Sequence, residues 1–368
     1  MVRLRVAIAL VSLAASMGLT SLTPASAAPA REGAACSTPL DTKTVTVGKK
    51  RKAKKVDLVC WQARANPDSW LWTAKSATQY MPFEIPASAT WRRIATPAPG
   101  GNPNFQPTAA SNIARLSGEL DHYWIEVDGA GGKKVTAGVW APKGASNRPV
   151  VVFFHGTGGL VYWETEYAAN LAKSGFVVVT PLWFGPRTAF FDRFPAQQSP
   201  GLMQDPNGPT FTGANLELAY DMLPVLGAAR QQPAANPGSL SLAGQSRGGT
   251  IALILGATTP GIMVVVAVVP PFLPTQLNSP MYLGQIWEVL PRAIVNKITV
   301  PTLVIGAAND ELVPLSSTQD FLSAASSAGR TNIESVIVPG PHTIAYSFNT
   351  ESSAQVKQLV VTFLNRFA

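Results

Sequence analysis

The stretch Ser239-Leu240-Ser241-Leu242-Ala243-Gly244-Gln245-Ser246-Arg247-Gly248-Gly249-Thr250 holds the one G-x-S-x-G pattern in the 368-residue chain. Alone the pattern is weak, because a chain with 30 glycines meets it by chance. Its flanks make it informative. Residues 239–243 read as an apolar strand and residues 250–255 as the start of a helix, so the pattern falls on a strand–turn–helix junction. A bend that sharp strains its central residue, and Gly244 and Gly248 leave room for it and for close helix–strand packing. Ser246 Oγ then projects above the sheet, with the helix N-terminus beneath it. The competing reading is an ordinary βα turn.

Outward from this junction, strands alternate with helices. Residues 121–127 and 135–140 flank Asp128-Gly129-Ala130-Gly131-Gly132 as a hairpin. Residues 149–154, 175–180, 261–269, 301–306 and 334–338 read as further strands. Helices are expected over 164–174, 214–230, 248–256, 316–328 and 351–367, with Pro224 kinking the second. This order predicts an α/β fold, a mostly parallel central sheet with helices on both faces. Such sheets carry their sites at the carboxyl ends of the strands.

A serine hydroxyl needs a base to become a nucleophile, and the chain has only three histidines. His122 lies in the first hairpin, ahead of the parallel strands, and reads as structural. His155 ends the 149–154 strand and opens His155-Gly156-Thr157-Gly158-Gly159, a turn suited to offering backbone N–H groups to an oxyanion. His342 follows the last strand in Pro339-Gly340-Pro341-His342, within reach of Ser246 across the strand ends; the bland alternative is a surface-loop histidine. An orienting carboxylate is expected at Asp310, after the 301–306 strand, with Glu311 its nearest rival. The preceding strand offers none, since Pro270-Pro271-Phe272 follows it and the next carboxylate is Glu288.

Ser246, Asp310 and His342 stand in the order nucleophile, acid, histidine, each after its own strand, and over residues 120–368 the chain resembles the α/β-hydrolase superfamily. The His155-Gly156 loop and Gly244-Gln245-Ser246-Arg247-Gly248-Gly249 are similar to those of its dienelactone-hydrolase-like and platelet-activating-factor-acetylhydrolase-like esterases. One departure is that dienelactone hydrolases proper carry Cys at the nucleophile position. Ser246 also speaks against the dehalogenase and epoxide-hydrolase branches, which carry Asp there. The resemblance implies ester hydrolysis through an acyl-serine. It places the backbone N–H groups of Arg247 and Thr157 in the oxyanion hole, with His155, Gly156 and Gly158 shaping the loop. Neither a metal nor an organic cofactor is implied.

Other signals in the chain concern export, partners and substrate. Arg3 and Arg5, an apolar stretch over residues 6–19 and Ala25-Ser26-Ala27 read as a cleaved export signal, giving a secreted chain. The expected division is signal at 1–27, an extension of unreadable fold at 28–118 and a catalytic domain at 119–368. Without the signal, 27 Lys and Arg face 21 acids, so the mature chain stays near +6. Six of those cations stand in Lys49-Lys50-Arg51-Lys52-Ala53-Lys54-Lys55. This run reads either as a weak contact for an anionic surface or as a solvated hairpin tip; no nucleic-acid module accompanies it. Cys36 and Cys60 are expected to pair, closing a loop of about 25 residues. Aromatic-rich insertions at 181–213 and 270–296 follow strands and suggest either an apolar cap over an apolar ester or packing on the sheet rim. Acyl transfer, peptidase activity and a non-catalytic binding role are the rival functions, and nothing in the chain speaks to oligomeric state.

Overall fold

The computed structural model describes residues 30–32, 34–36, 42–47, 53–63, 66–74, 84–95, 118–129, 134–156, 160, 162–183, 218–272, 275–276, 286–287, 295–345 and 351–368. A first, antiparallel sheet pairs β1 (Thr42–Val47), β2 (Lys54–Ala63) and β3 (Asn66–Ala74) in that order. β1 and β2 flank the basic run, as a hairpin requires, and Lys54 and Lys55 are exposed. The Cys36–Cys60 disulfide ties the chain ahead of β1 to β2, and Leu58, Cys60 and Trp72 are buried.

Among the described residues the main sheet has nine strands. In chain order they are β4 (Trp91–Ile94), β5 (Leu120–Asp128), β6 (Lys134–Pro142), β7 (Arg148–Phe154), β8 (Val177–Pro181), β9 (Ala235–Gln245), β10 (Val265–Val268), β13 (Thr302–Ala307) and β14 (Ile333–Val338). They lie in the order β14-β13-β10-β9-β7-β8-β6-β5-β4. Pairings from β8 to β14 are parallel, and those joining β8, β6, β5 and β4 are antiparallel. Two short strands, β11 (Thr275–Gln276) and β12 (Ile286–Trp287), pair within the second insertion.

The inner parallel strands β7, β8 and β10 read as nearly continuous apolar runs because both of their faces are covered. Along β7, Val150, Val152 and Phe154 enter one core while Val151 and Phe153 enter the other, the period of two of a strand. The first core is closed by α2 (Leu223–Arg230) and α3 (Arg247–Thr258), with Phe321 and Ala325 of α4 (Leu315–Ser327). The second is closed by Tyr167, Ala168 and Leu171 of α1 (Tyr162–Lys173) and by Val356, Val360, Phe363 and Leu364 of α5 (Glu351–Asn365). Among the described residues no helix is long and apolar enough to cross a membrane.

Two expectations about single elements need correction. The helix expected over 214–230 is broken: residues 218–221 are helical, Met222 turns, and α2 restarts at Leu223. Pro224 sits in the first turn of α2, where its missing N–H costs nothing, and so starts a helix instead of kinking one. The strand expected over 261–269 spans only Val265–Val268, because Gly261 turns the chain at φ +83° and its carbonyl accepts from Arg230 Nη2 at 2.7 Å. Chain ahead of residue 119 also joins the main sheet. β4 pairs with β5, Trp91 Nε1 donates to Gln231 Oε1 at 3.2 Å, and a Cβ on Gly227 of α2 would come 3.0 Å from the Pro86 carbonyl. The 84–95 segment is thus a brace on the domain. His122 is structural as expected, with ring centroids 5.6 Å from Trp124 and 4.6 Å from Trp140. Burial lowers its pKa to about 4.

Candidate active site

β9 ends at Gln245 and α3 begins at Arg247, leaving Ser246 as the only residue of the bend. Its backbone sits at φ 51°, ψ −127°, a strained conformation for a residue with a Cβ. Two tethers hold it there: Ser246 N–H donates to the Val268 carbonyl at 2.8 Å, and Thr250 N–H donates to the Ser246 carbonyl at 3.3 Å. The glycines are needed for contact. A Cβ on Gly244 would fall 2.7 Å from Gly249 N, and one on Gly248 would fall 2.6 Å from the Phe154 carbonyl carbon. Helix α3 therefore touches the ends of β9 and β7 backbone to backbone.

The bend presents Ser246 Oγ to His342 Nε2 at 2.9 Å. On the other side of the ring, Nδ1 lies 2.9 Å from Asp310 Oδ2 and 3.0 Å from Oδ1. A proton on Nδ1 satisfies the carboxylate and leaves the Nε2 lone pair facing the serine hydroxyl, the tautomer a general base needs. The Asp310 side chain is 1% exposed and that of His342 8%. Asp310 is aimed by its own loop, since Oδ1 accepts the N–H groups of Leu312 at 2.9 Å and Val313 at 2.7 Å. Glu311 binds elsewhere, its Oε2 accepting the backbone N–H of His342 at 3.0 Å. The three residues expected from their order along the chain thus meet, and of the two neighbouring acids only Asp310 bonds to the imidazole ring.

The loop after β7 is fixed from three sides. His155 is fully buried, its Nδ1–H donating to the Gly156 carbonyl at 2.7 Å, and burial lowers its pKa to about 4. It is therefore neutral at pH 7, and full burial shuts its ring away from a substrate. Trp183 Nε1 donates to the His155 carbonyl at 3.2 Å and its ring packs on the imidazole at 5.4 Å. Gly156 N–H donates to Glu164 Oε1 at 2.9 Å, which commits that donor to the protein itself. Thr157 and Gly158 lie outside the described residues. Arg247 opens α3, whose first-turn N–H groups point out of the helix end toward the bend. Among the described residues no group of three or more His, Cys, Asp or Glu side chains is placed to hold a metal ion.

Sequence reasoning missed Gln245, Glu164 and Trp183 as supports. Each binds backbone, and a side chain whose partner is a peptide group leaves no pattern to read. Of the aromatic residues in the two insertions, Trp183 and Phe272 are fully buried, and Phe272 stacks on Phe321 at 4.0 Å. These two are packing residues of the first core; the others lie outside the residues whose side chains are described.

Comparison with known proteins agrees with this architecture. The model of the dienelactone hydrolase family matches residues 135–354. Among solved structures, a candidate dienelactone hydrolase from Klebsiella pneumoniae is 19% identical with a TM-score of 0.52, covering 64% of this chain and 95% of its own. A dienelactone hydrolase-like promiscuous phosphotriesterase from metagenomic libraries is 18% identical with a TM-score of 0.51, covering 68% and 99%. The acylaminoacyl peptidase of Pyrococcus horikoshii is 14% identical with a TM-score of 0.55, covering 70% and 43%. A search among curated proteins returns no significant match. The structural likenesses establish the α/β-hydrolase fold, and the family match spans the elbow, the acid loop and the histidine loop: the chain belongs to the dienelactone hydrolase family of ester hydrolases.

Proposed function

We propose that this chain is an exported serine esterase in which Ser246, His342 and Asp310 form a catalytic triad. The observation that carries the reading is the continuous hydrogen-bonded path from Ser246 Oγ through the imidazole to Asp310, 2.9 Å at each link. His342 Nε2 takes the hydroxyl proton as Oγ attacks the ester carbonyl. Asp310 stabilises the imidazolium that results. The tetrahedral oxyanion is held by the N–H groups of Arg247 and Thr157. Collapse breaks the bond to the alkoxy oxygen, and His342 returns its proton to the departing alcohol. Water, deprotonated by the same nitrogen, then releases the acid from the acyl-serine.

The aromatic content of the insertions supports an apolar ester as substrate, and the leader at residues 1–27 supports export. The basic run at 49–55, flanked by a paired hairpin with Lys54 and Lys55 exposed, supports a weak, salt-sensitive contact with an anionic surface. Ser246→Ala is expected to abolish both p-nitrophenyl ester turnover and fluorophosphonate labelling without unfolding the chain. Labelling that persists on another residue refutes the assignment. Preference for charged over aliphatic acyl groups in a p-nitrophenyl panel refutes the substrate class.

A further inference from the structure

His342 is held by more than its ring. Its backbone N–H donates to Glu311 Oε2 at 3.0 Å, and its carbonyl accepts from Gln245 Nε2 at 3.3 Å. Two side chains on different elements therefore grip both polar groups of one residue. Gln245 immediately precedes Ser246 and Glu311 immediately follows Asp310, so each grip is covalently joined to a partner of the imidazole. Other tethers of this loop, Ala308 N–H to the Val338 carbonyl at 2.9 Å and Asn309 N–H to the Gly340 carbonyl at 3.1 Å, fix its approach but do not touch residue 342.

We infer that Gln245 and Glu311 are positioning residues that hold the His342 backbone, so that the ring spans Ser246 and Asp310 together. The inference rests on the triad reading proposed above. The ring must meet a hydroxyl and a carboxylate at once, so a slide of its backbone along that line lengthens one link as it shortens the other, and a slide across it lengthens both. Gln245 is 1% exposed, and its Oε1 has no hydrogen-bond partner among the described residues. A half-satisfied buried amide costs stability, so a residue chosen for the strand alone would be apolar. Glu311 is an exposed residue that contributes little buried surface. Neither side chain is explained by packing, and both are explained by where they hold His342.

Three variants test this: Glu311→Ala, Glu311→Gln and Gln245→Met, the last keeping volume while removing the donor. Turnover of a p-nitrophenyl ester, the fluorophosphonate labelling rate of Ser246 and thermal midpoints are read together. Glu311→Ala and Gln245→Met are expected to lower kcat and labelling rate by about 10-fold or more, with KM and midpoint near wild type. Glu311→Gln, whose amide oxygen can still accept the same N–H, is expected to recover most of the loss. Wild-type kcat in Glu311→Ala overturns the clamp, as does a Glu311→Gln variant as impaired as the alanine. A wild-type chain that hydrolyses esters without labelling at Ser246 instead removes the triad reading, and the clamp with it.

Discussion

Gly248→Ala places one methyl group where two backbones already touch. Its Cβ would lie 2.6 Å from the Phe154 carbonyl carbon and closer still to the carbonyl oxygens of Phe154 and His155. Comfortable carbon–carbon contact is about 3.5 Å, so helix α3 and the end of β7 must separate by about 1 Å. Both obstacles are main chain, and no rotamer change relieves them. Overpacking of this kind costs about 1–3 kcal/mol, and the absence of a flexible neighbour puts this case near about 3. At about 2–4 °C per kcal/mol for a domain of this size, the thermal midpoint should fall by about 6–12 °C. The catalytic loss should be larger than the stability loss suggests. Separation moves the His155–Gly156 loop away from the α3 N-terminus, and a shift of about 1 Å in such a site costs about 100-fold in kcat/KM. Gly118→Ala is the matched control, since a Cβ there meets nothing within 4 Å. Scanning fluorimetry and p-nitrophenyl ester kinetics on both variants check the argument. A Gly248→Ala protein with wild-type midpoint and wild-type kcat/KM refutes it.

Acid should weaken the fold through its buried histidines. His122 and His155 stay neutral down to about pH 4 when folded, whereas the unfolded chain protonates them below about 6.5. Stability is therefore full above about pH 6.5 and falls as pH drops to about 4, by about 3 kcal/mol per histidine. Urea midpoints across that window, wild type against His122→Phe, should show a shallower slope in the variant; identical slopes exclude the effect. Replacing Cys36 and Cys60 together by Ser should cost about 3 kcal/mol in chemical denaturation while leaving kcat unchanged at 25 °C. Equal stability of oxidised wild type and the double variant excludes a stabilising role for the bridge.

The domain was legible where burial is two-sided. β7, β10 and β13 are nearly continuous apolar runs because helices cover both of their faces, and that pattern needs no tertiary knowledge to read. The chain before residue 118 was legible only at the hairpin around the basic run and the Cys36–Cys60 pair, for the opposite reason. β4 is four residues long and does not alternate, Trp91-Arg92-Arg93-Ile94 running half-buried, exposed, exposed, half-buried, and its identity as a strand comes from pairing with β5. In β1 and the start of β2, Thr42, Lys43, Thr44, Thr46, Lys54 and Lys55 outnumber the apolar residues, so the pattern signals a hairpin and no more. Pro224 shows a subtler limit. A proline in a helical pattern announces a break, but whether it ends one helix or starts the next depends on which carbonyl the chain can leave unpaired.

At the site, scarcity made the histidine readable: three in the chain, one in a hairpin, one in the loop after β7, one after the last strand. The acid was harder, because Asp310 and Glu311 are adjacent and both follow β13. Side-chain length separates them. Asp310 has one methylene, so its carboxylate stays within its own turn, where the Leu312 and Val313 N–H groups aim it at the ring. Glu311 has two, enough to reach back to the His342 backbone. Exchanging the two acids would therefore lose both functions at once: a glutamate at 310 overshoots the turn that orients it, and an aspartate at 311 falls short of the N–H it holds. The order Asp-Glu is itself part of the site, and it carries chemistry that neither residue type specifies alone.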